Sequence, residues 1–166
     1  MIRSALALSA LLLCSTVSFA LPQKAVFDFD GDNRTDYAVA RGIGATYTWY
    51  IQRSTAGFLA QDWGTPSTDL LVPGDYDGDG KWDIAVWRNS NATFYILQSL
   101  TGTLRVVPFG VSGDDPRISQ DFDGDGKTDP AVARTTSGGV SWLLLRSMLG
   151  PTVITFGLGQ SIDTAI

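Results

Sequence analysis

Residues 75–88 read DYDGDGKWDIAVWR. Four aspartates fall within the first nine positions, and an apolar run, IAVW, follows at once and closes on Arg88. Two carboxylates about 4 Å apart cost roughly 4 kcal/mol at the effective dielectric of a protein surface. A folded chain that gathers such charge therefore needs something to offset it. The arrangement recurs as DFDGDNRTDYAVAR at 28–41 and as DFDGDGKTDPAVAR at 121–134, so the loops start 47 and 46 residues apart. All 17 acidic residues of the 166-residue chain are Asp, and 12 of them lie in these three loops. The acidity is placed rather than scattered.

Each copy continues in the same way. The stretches TWYIQRS, TFYILQS and SWLLLRS begin at Thr48, Thr93 and Ser141, and glycine turns follow at Gly57, Gly102 and Gly150. FLAQDWG, LRVVPFG and TVITFG come next, ending in the pairs Trp63-Gly64, Phe109-Gly110 and Phe156-Gly157. A short fourth segment, DLLVPG or DPRISQ, leads into the next acidic loop. Runs this short, β-branched and aromatic, with turn signals between them, read as strands and exclude long helices. Four strands in a period of about 46 residues match the blade of a β-propeller. The expectation is an all-β chain of three four-stranded antiparallel blades, a partial propeller, with repeats at about 24–70, 71–116 and 117–166. IAVW is apolar on both faces, which suits a blade packed between two neighbours.

The loops are candidate metal sites. Counted from the first Asp, positions 1, 3, 5 and 9 are Asp28, Asp30, Asp32 and Asp36 in the first loop. They are Asp75, Asp77, Asp79 and Asp83 in the second, and Asp121, Asp123, Asp125 and Asp129 in the third. Position 7 is Arg34, Lys81 or Lys127, whose side chain cannot ligate a cation but whose backbone carbonyl can. Calcium takes six to eight oxygens at about 2.3–2.6 Å, and alternate carboxylates in a tight loop can converge on one ion. Glycine at position 4, and Asn33, Gly80 or Gly126 at position 6, permit the reversals that wrapping an ion requires. An EF-hand loop would need a bidentate Glu at position 12, where this chain has Val39, Val86 and Val132. The reading is therefore a Ca2+ loop between two strands, with about three ions in all. Asp-Gly pairs alone make ordinary turns, but three copies in register point to the metal. Magnesium keeps more of its waters and fits less well. The recurring Arg41, Arg88 and Arg134 read as partners of a carboxylate or as solvated strand ends.

The first 20 residues, MIRSALALSALLLCSTVSFA, have a basic start, a short apolar run and a small-x-small ending, as a cleaved signal peptide does. The apolar run is too short to span a bilayer. A secreted chain is expected, extracellular, periplasmic or held at a cell surface, with no membrane span after processing. Residues 21–166 then hold no Cys, since Cys14 is lost, and no His or Glu. That removes the commonest general base and the preferred zinc ligands. Their charge, 11 basic against 17 acidic residues, is a poor match for nucleic acid.

Together the DxDGDGxxD loops, the AVxR strands, the WYI, FYI and WLL strands and the aromatic–Gly pairs resemble the FG-GAP or VCBS repeat family of extracellular proteins. The resemblance covers about residues 24–166, with Asn33 as a departure. Similar repeats form the blades of integrin α-chain propellers. It implies calcium at each loop and a structural or recognition role, such as cell adhesion, rather than an enzyme. The implied partner is an extracellular protein or glycan. A calcium-dependent lectin is the alternative, with Trp49, Trp82, Trp87 or Trp142 stacking on sugar rings. Trp82 stands where the other copies have Thr35 and Thr128, and is the best candidate for an exposed aromatic. Propellers typically have four to eight blades, so three suggest either a fragment of a larger protein or a homodimer that closes a six-blade ring.

Overall fold

The computed structural model describes residues 24–156 and residue 165. The expected signal peptide, 1–20, lies outside them. Ten strands follow one another: β1 Tyr37–Ile43, β2 Thr46–Arg53, β3 Gly57–Asp62, β4 Asp69–Leu71, β5 Ile84–Arg88, β6 Thr93–Leu97, β7 Leu104–Pro108, β8 Ala131–Thr136, β9 Gly139–Arg146 and β10 Gly150–Phe156. They form three antiparallel sheets, ordered β1-β2-β3, β4-β5-β6-β7 and β10-β9-β8. The fold is all-β, and among the described residues no helix is long and apolar enough to cross a membrane.

Register is the same in each sheet. Ala40 pairs with Trp49, Trp87 with Phe94, and Ala133 with Trp142. In the outer sheets a small residue thus faces a large one across the ladder, and in the central sheet two rings meet edge to face at 6.5 Å. Cross-strand aromatic pairs of this kind hold the pleats in step.

The expectation of four strands per unit holds for the central sheet alone among the described residues. The fourth segment does not close the unit it follows in the chain. DLL at 69–71 pairs with β5 of the next sheet, so the boundary expected at 70/71 falls inside β4. Its counterpart before the third loop is a 3-10 turn at Pro116–Ile118, tied to the third sheet by one bridge between Asp115 and Ala133. The Asp115 carboxylate accepts the N–H of Arg117 and caps the turn, and Pro116, with its fixed φ, fits the first position after the cap.

The core lies between sheets. Trp49 and Ile51 of the first sheet pack on Ile84 and Val86 of the second. The opposite face of the second sheet, with Trp87, Phe94 and Ile96, packs on Val132 and Leu143 of the third. Strand β5 is therefore buried on both faces, as its unbroken apolar run implied. Ile118, Ala131, Ala133 and Leu144 form a third, smaller cluster on the far side of the third sheet.

Candidate metal centre

Each acidic loop runs directly into the first long strand of its sheet, so its last Asp is anchored by the ladder. The hydrogen bonds of the three loops nearly superpose. The first Asp folds the loop over itself: Asp28 accepts from the N–H of Gly31 at 2.7 Å and of Asn33 at 2.7 Å. Asp75 accepts from Gly78 and Gly80, and Asp121 from Gly124 and Gly126. Position 6 has a left-handed backbone in every copy, with φ of 61° at Asn33 and 88° at Gly80 and Gly126. Asn is the non-glycine residue that tolerates this region best, which is why the one departure from glycine leaves the loop intact.

The last Asp faces inward. Asp36 accepts from the N–H groups of Phe29 and Ser54, Asp83 from Tyr76 and Ser99, and Asp129 from Phe122 and Ser147. Ser54, Ser99 and Ser147 stand in the hairpin turns that follow β2, β6 and β9. Their hydroxyls donate to the Asp at position 5: Asp32, Asp79 and Asp125. The next residues of the turn supply N–H donors to position 3: Thr55 and Ala56 to Asp30, Leu100 to Asp77, and Met148 and Leu149 to Asp123. Sequence reasoning assigned these turns no role. The signal was present as a serine in register at the end of QRS, LQS and LRS.

Carboxylate oxygens of Asp28, Asp30 and Asp32, of Asp75, Asp77 and Asp79, and of Asp121, Asp123 and Asp129 lie within 4.8 Å of one another. Positions 1 and 3 thus converge in all three loops. Position 5 joins them in the first two, and position 9 in the third. Arg34, Lys81 and Lys127 donate their backbone N–H to the Asp at position 5. The side chain of Lys81 crosses Gly31 of the preceding loop and that of Lys127 crosses Gly78. The loops are also joined by backbone bonds of 2.6 Å, from Trp82 N–H to the Asp28 carbonyl and from Thr128 N–H to that of Asp75. Lys24 adds an ion pair to Asp75 at 2.8 Å.

The donor set fits a hard divalent cation. Asp30 Oδ1 and Asp123 Oδ1 are buried within their clusters and have no hydrogen-bond partner. An unpartnered carboxylate oxygen away from water is costly, and a cation among the three carboxylates would meet it. Desolvation by burial pushes the Asp83 carboxyl up to about 6, against the hydrogen bonds from Ser99 and with help from nearby Asp77. Asp129 shifts upward, also chiefly through burial. At Asp30 burial raises the pKa, but the N–H groups of Ala56 and Thr55 outweigh it and bring the group to about 2.

The run from the first loop to the middle of β5 carries a family match. Residues 28–86 match the FG-GAP-like repeat family. No curated protein and no solved structure matches the chain. The FG-GAP-like stretch includes the first two loops, and the third, outside the match, repeats their hydrogen bonds. Two of the recurring arginines lie at the joints between sheets. Arg88 makes a two-pronged pair with Asp69, at 2.8 and 2.9 Å, and Arg134 pairs in the same way with Asp114, both at 2.8 Å. They act as carboxylate partners. Trp82 is half-buried rather than exposed, with its ring 4.5 Å from Phe27 and edge-on to Phe29 at 6.3 Å. A large ring beside two others loses less by packing than by standing in water.

Proposed function

We propose that this chain is a secreted, calcium-stabilised and non-catalytic recognition module whose three sheets are blades of a partial β-propeller. The observation that carries the metal reading is the buried, unpartnered oxygen of Asp30 and Asp123 in clusters built alike from in-register loops. Calcium offsets the repulsion among the carboxylates, and each ion ties a loop that already holds the following hairpin and the neighbouring loop. The ligands come from positions 1, 3, 5 and 9 and the position 7 carbonyl. Secretion rests on residues 1–20, and the recognition role on the repeat family. Extracellular calcium modules bind at roughly 0.1–1 mM, and a site at ten times its dissociation constant adds about 1.4 kcal/mol by linkage. The melting temperature should rise through millimolar calcium and fall in chelator. The pair Asp77→Asn with Asp79→Asn should remove part of that shift. A melting temperature unchanged across the titration overturns the calcium reading.

A carbohydrate-binding lectin is the second reading. It is favoured by a cavity of about 520 Å³ between the first two sheets, lined in part by Trp63, Trp82, Gln61 and Gln98. Aromatic faces beside amide groups suit a sugar ring. Retention of a glycan on an array by the wild type, and its loss in Trp82→Ala, would favour the lectin.

A further inference from the structure

Consecutive sheets are joined by one device, used twice. At the first joint, Trp63-Gly64 turns against the second sheet, and a Cβ on Gly64 would stand 2.7 Å from Val86. Asp69 accepts the N–H of Thr65 at 2.9 Å and both prongs of Arg88, whose guanidinium lies 4.7 Å from the centre of the Tyr95 ring. At the second joint, Phe109-Gly110 turns against Val132, Asp114 accepts the N–H of Val111, and Arg134 grips Asp114. Each joint thus has an insert, aromatic–Gly followed by Asp, and an acceptor, Val and Arg two apart on the first long strand of the next sheet.

The first sheet carries an acceptor that no described segment fills. Val39 and Arg41 hold the register of Val86 and Arg88, and Tyr50 holds that of Tyr95. Val39 is 61 % exposed where Val86 is 1 % and Val132 0 %. Arg41 lies 5.5 Å from the Tyr50 ring centre, and among the described residues it makes no ion pair. The sequence also carries a third insert, Phe156-Gly157 followed by Asp163, with one residue more between Gly and Asp than the first insert has. Phe156 is 80 % exposed, whereas Trp63 and Phe109 are half-buried.

We infer that the acceptor at Val39, Arg41 and Tyr50 receives the segment Phe156–Asp163 of a second copy of this chain, with Arg41 paired to Asp163. Charge and residue pattern both match, because the chain already makes this joint twice within itself. The contact is head to tail, so two copies that each give and receive one insert close a ring, which satisfies every insert and acceptor. The inference deepens the recognition role by naming a partner, and it does not depend on calcium in the loops.

The test is light scattering with size-exclusion chromatography on the full processed chain at micromolar concentration, in calcium and in chelator. The wild type should run as two chains. Arg41→Asp and Asp163→Arg should each run as one, with at least a tenfold weaker self-association. Mixing these two variants should restore a two-chain species, because opposite charges then meet at both joints. At one joint the two substituted side chains face each other as the same ion pair reversed, and at the other the native Arg41 meets the native Asp163. Unchanged melting of the single variants at low concentration shows that both fold. A wild type that stays a single chain overturns the inference, as does association that survives Arg41→Asp. A monomer whose melting falls with Arg41→Asp overturns it in favour of an insert closing on its own chain. None of these outcomes alters the calcium titration, so the two readings fail separately.

Discussion

Val39 and Val86 occupy the same place in two copies of one strand, YAVAR and IAVWR, yet one is largely in water and the other wholly buried. Arg41 and Arg88 differ likewise: one leans on a tyrosine ring, and the other holds a buried carboxylate with two hydrogen bonds. Nothing in the strands themselves accounts for this. The central sheet has a neighbour on each face, and among the described residues the first sheet has one on only one face. Burial in an array of repeats is a property of the neighbour, and stability is the sum of what each unit holds within itself and what it shares across each joint.

The largest effect should come from placing a charge in each valine position. Val86→Asp buries an unpaired carboxylate between two sheets and should cost more than about 3 kcal/mol in urea unfolding of the single chain. Val39→Asp should stay within about 0.5 kcal/mol, as exposed substitutions do. Equal losses at both positions would break the comparison by showing that the first face is covered. The arginines come next. Arg88→Met leaves the carboxylate of Asp69 buried without its partner. Breaking a buried pair costs about 3–5 kcal/mol, reduced here to about 2–3 because Arg88 is partly solvated. Arg41→Met should change single-chain stability by less than about 0.5 kcal/mol.

The smallest effect compares loops rather than strands. In chelator, Asp83 at about 6 when folded lies above its ordinary value of 3.8. Its stabilising contribution is therefore full below 3.8 and is lost as pH rises through about 6. Asp30, at about 2, behaves in the opposite sense: its contribution is present above 3.8 and is lost as pH falls towards 2. Between about pH 7 and 5 Asp30 does not titrate, and the chain has no histidine. The metal-free protein should therefore gain about 1 kcal/mol when pH is lowered from about 7 to 5. On the proposed reading, in which Asp83 is a calcium ligand, the same change in calcium should lower stability, because protons then compete with the ion. Melting curves at the two pH values, with and without chelator, check both signs. A metal-free protein that loses stability over this range would show that Asp83 is ionised throughout.

The three loops, their spacing and their glycines were legible in the sequence, because position along a short loop largely decides which carboxylates can meet. Strand positions were legible for the same reason: period, β-branching and turn glycines act over a few residues. Ser54, Ser99 and Ser147 were visible in register but not interpretable, since their hydroxyls serve aspartates 20 to 22 residues away through the fold of a hairpin. Lys81 and Lys127 were read for their carbonyls alone, and their crossing over the glycine of the preceding loop emerges only when loops stand side by side.

By itself, then, the sequence determined an all-β chain of three like units, each with an acidic loop able to gather carboxylates. These follow from local chemistry, in which aspartates stand beside residues that allow positive φ and short β-branched and aromatic runs lie between turn glycines. Only the tertiary structure decided that the 69–71 segment joins the sheet after it, that Pro116–Ile118 forms a turn where the preceding joint has a strand, and that Trp82 packs between rings. It alone decided that one valine of three identical in register is left in water. The physical reason is the same in each case: these outcomes depend on which surface lies opposite, and burial and pairing across a joint are set by residues tens of positions away.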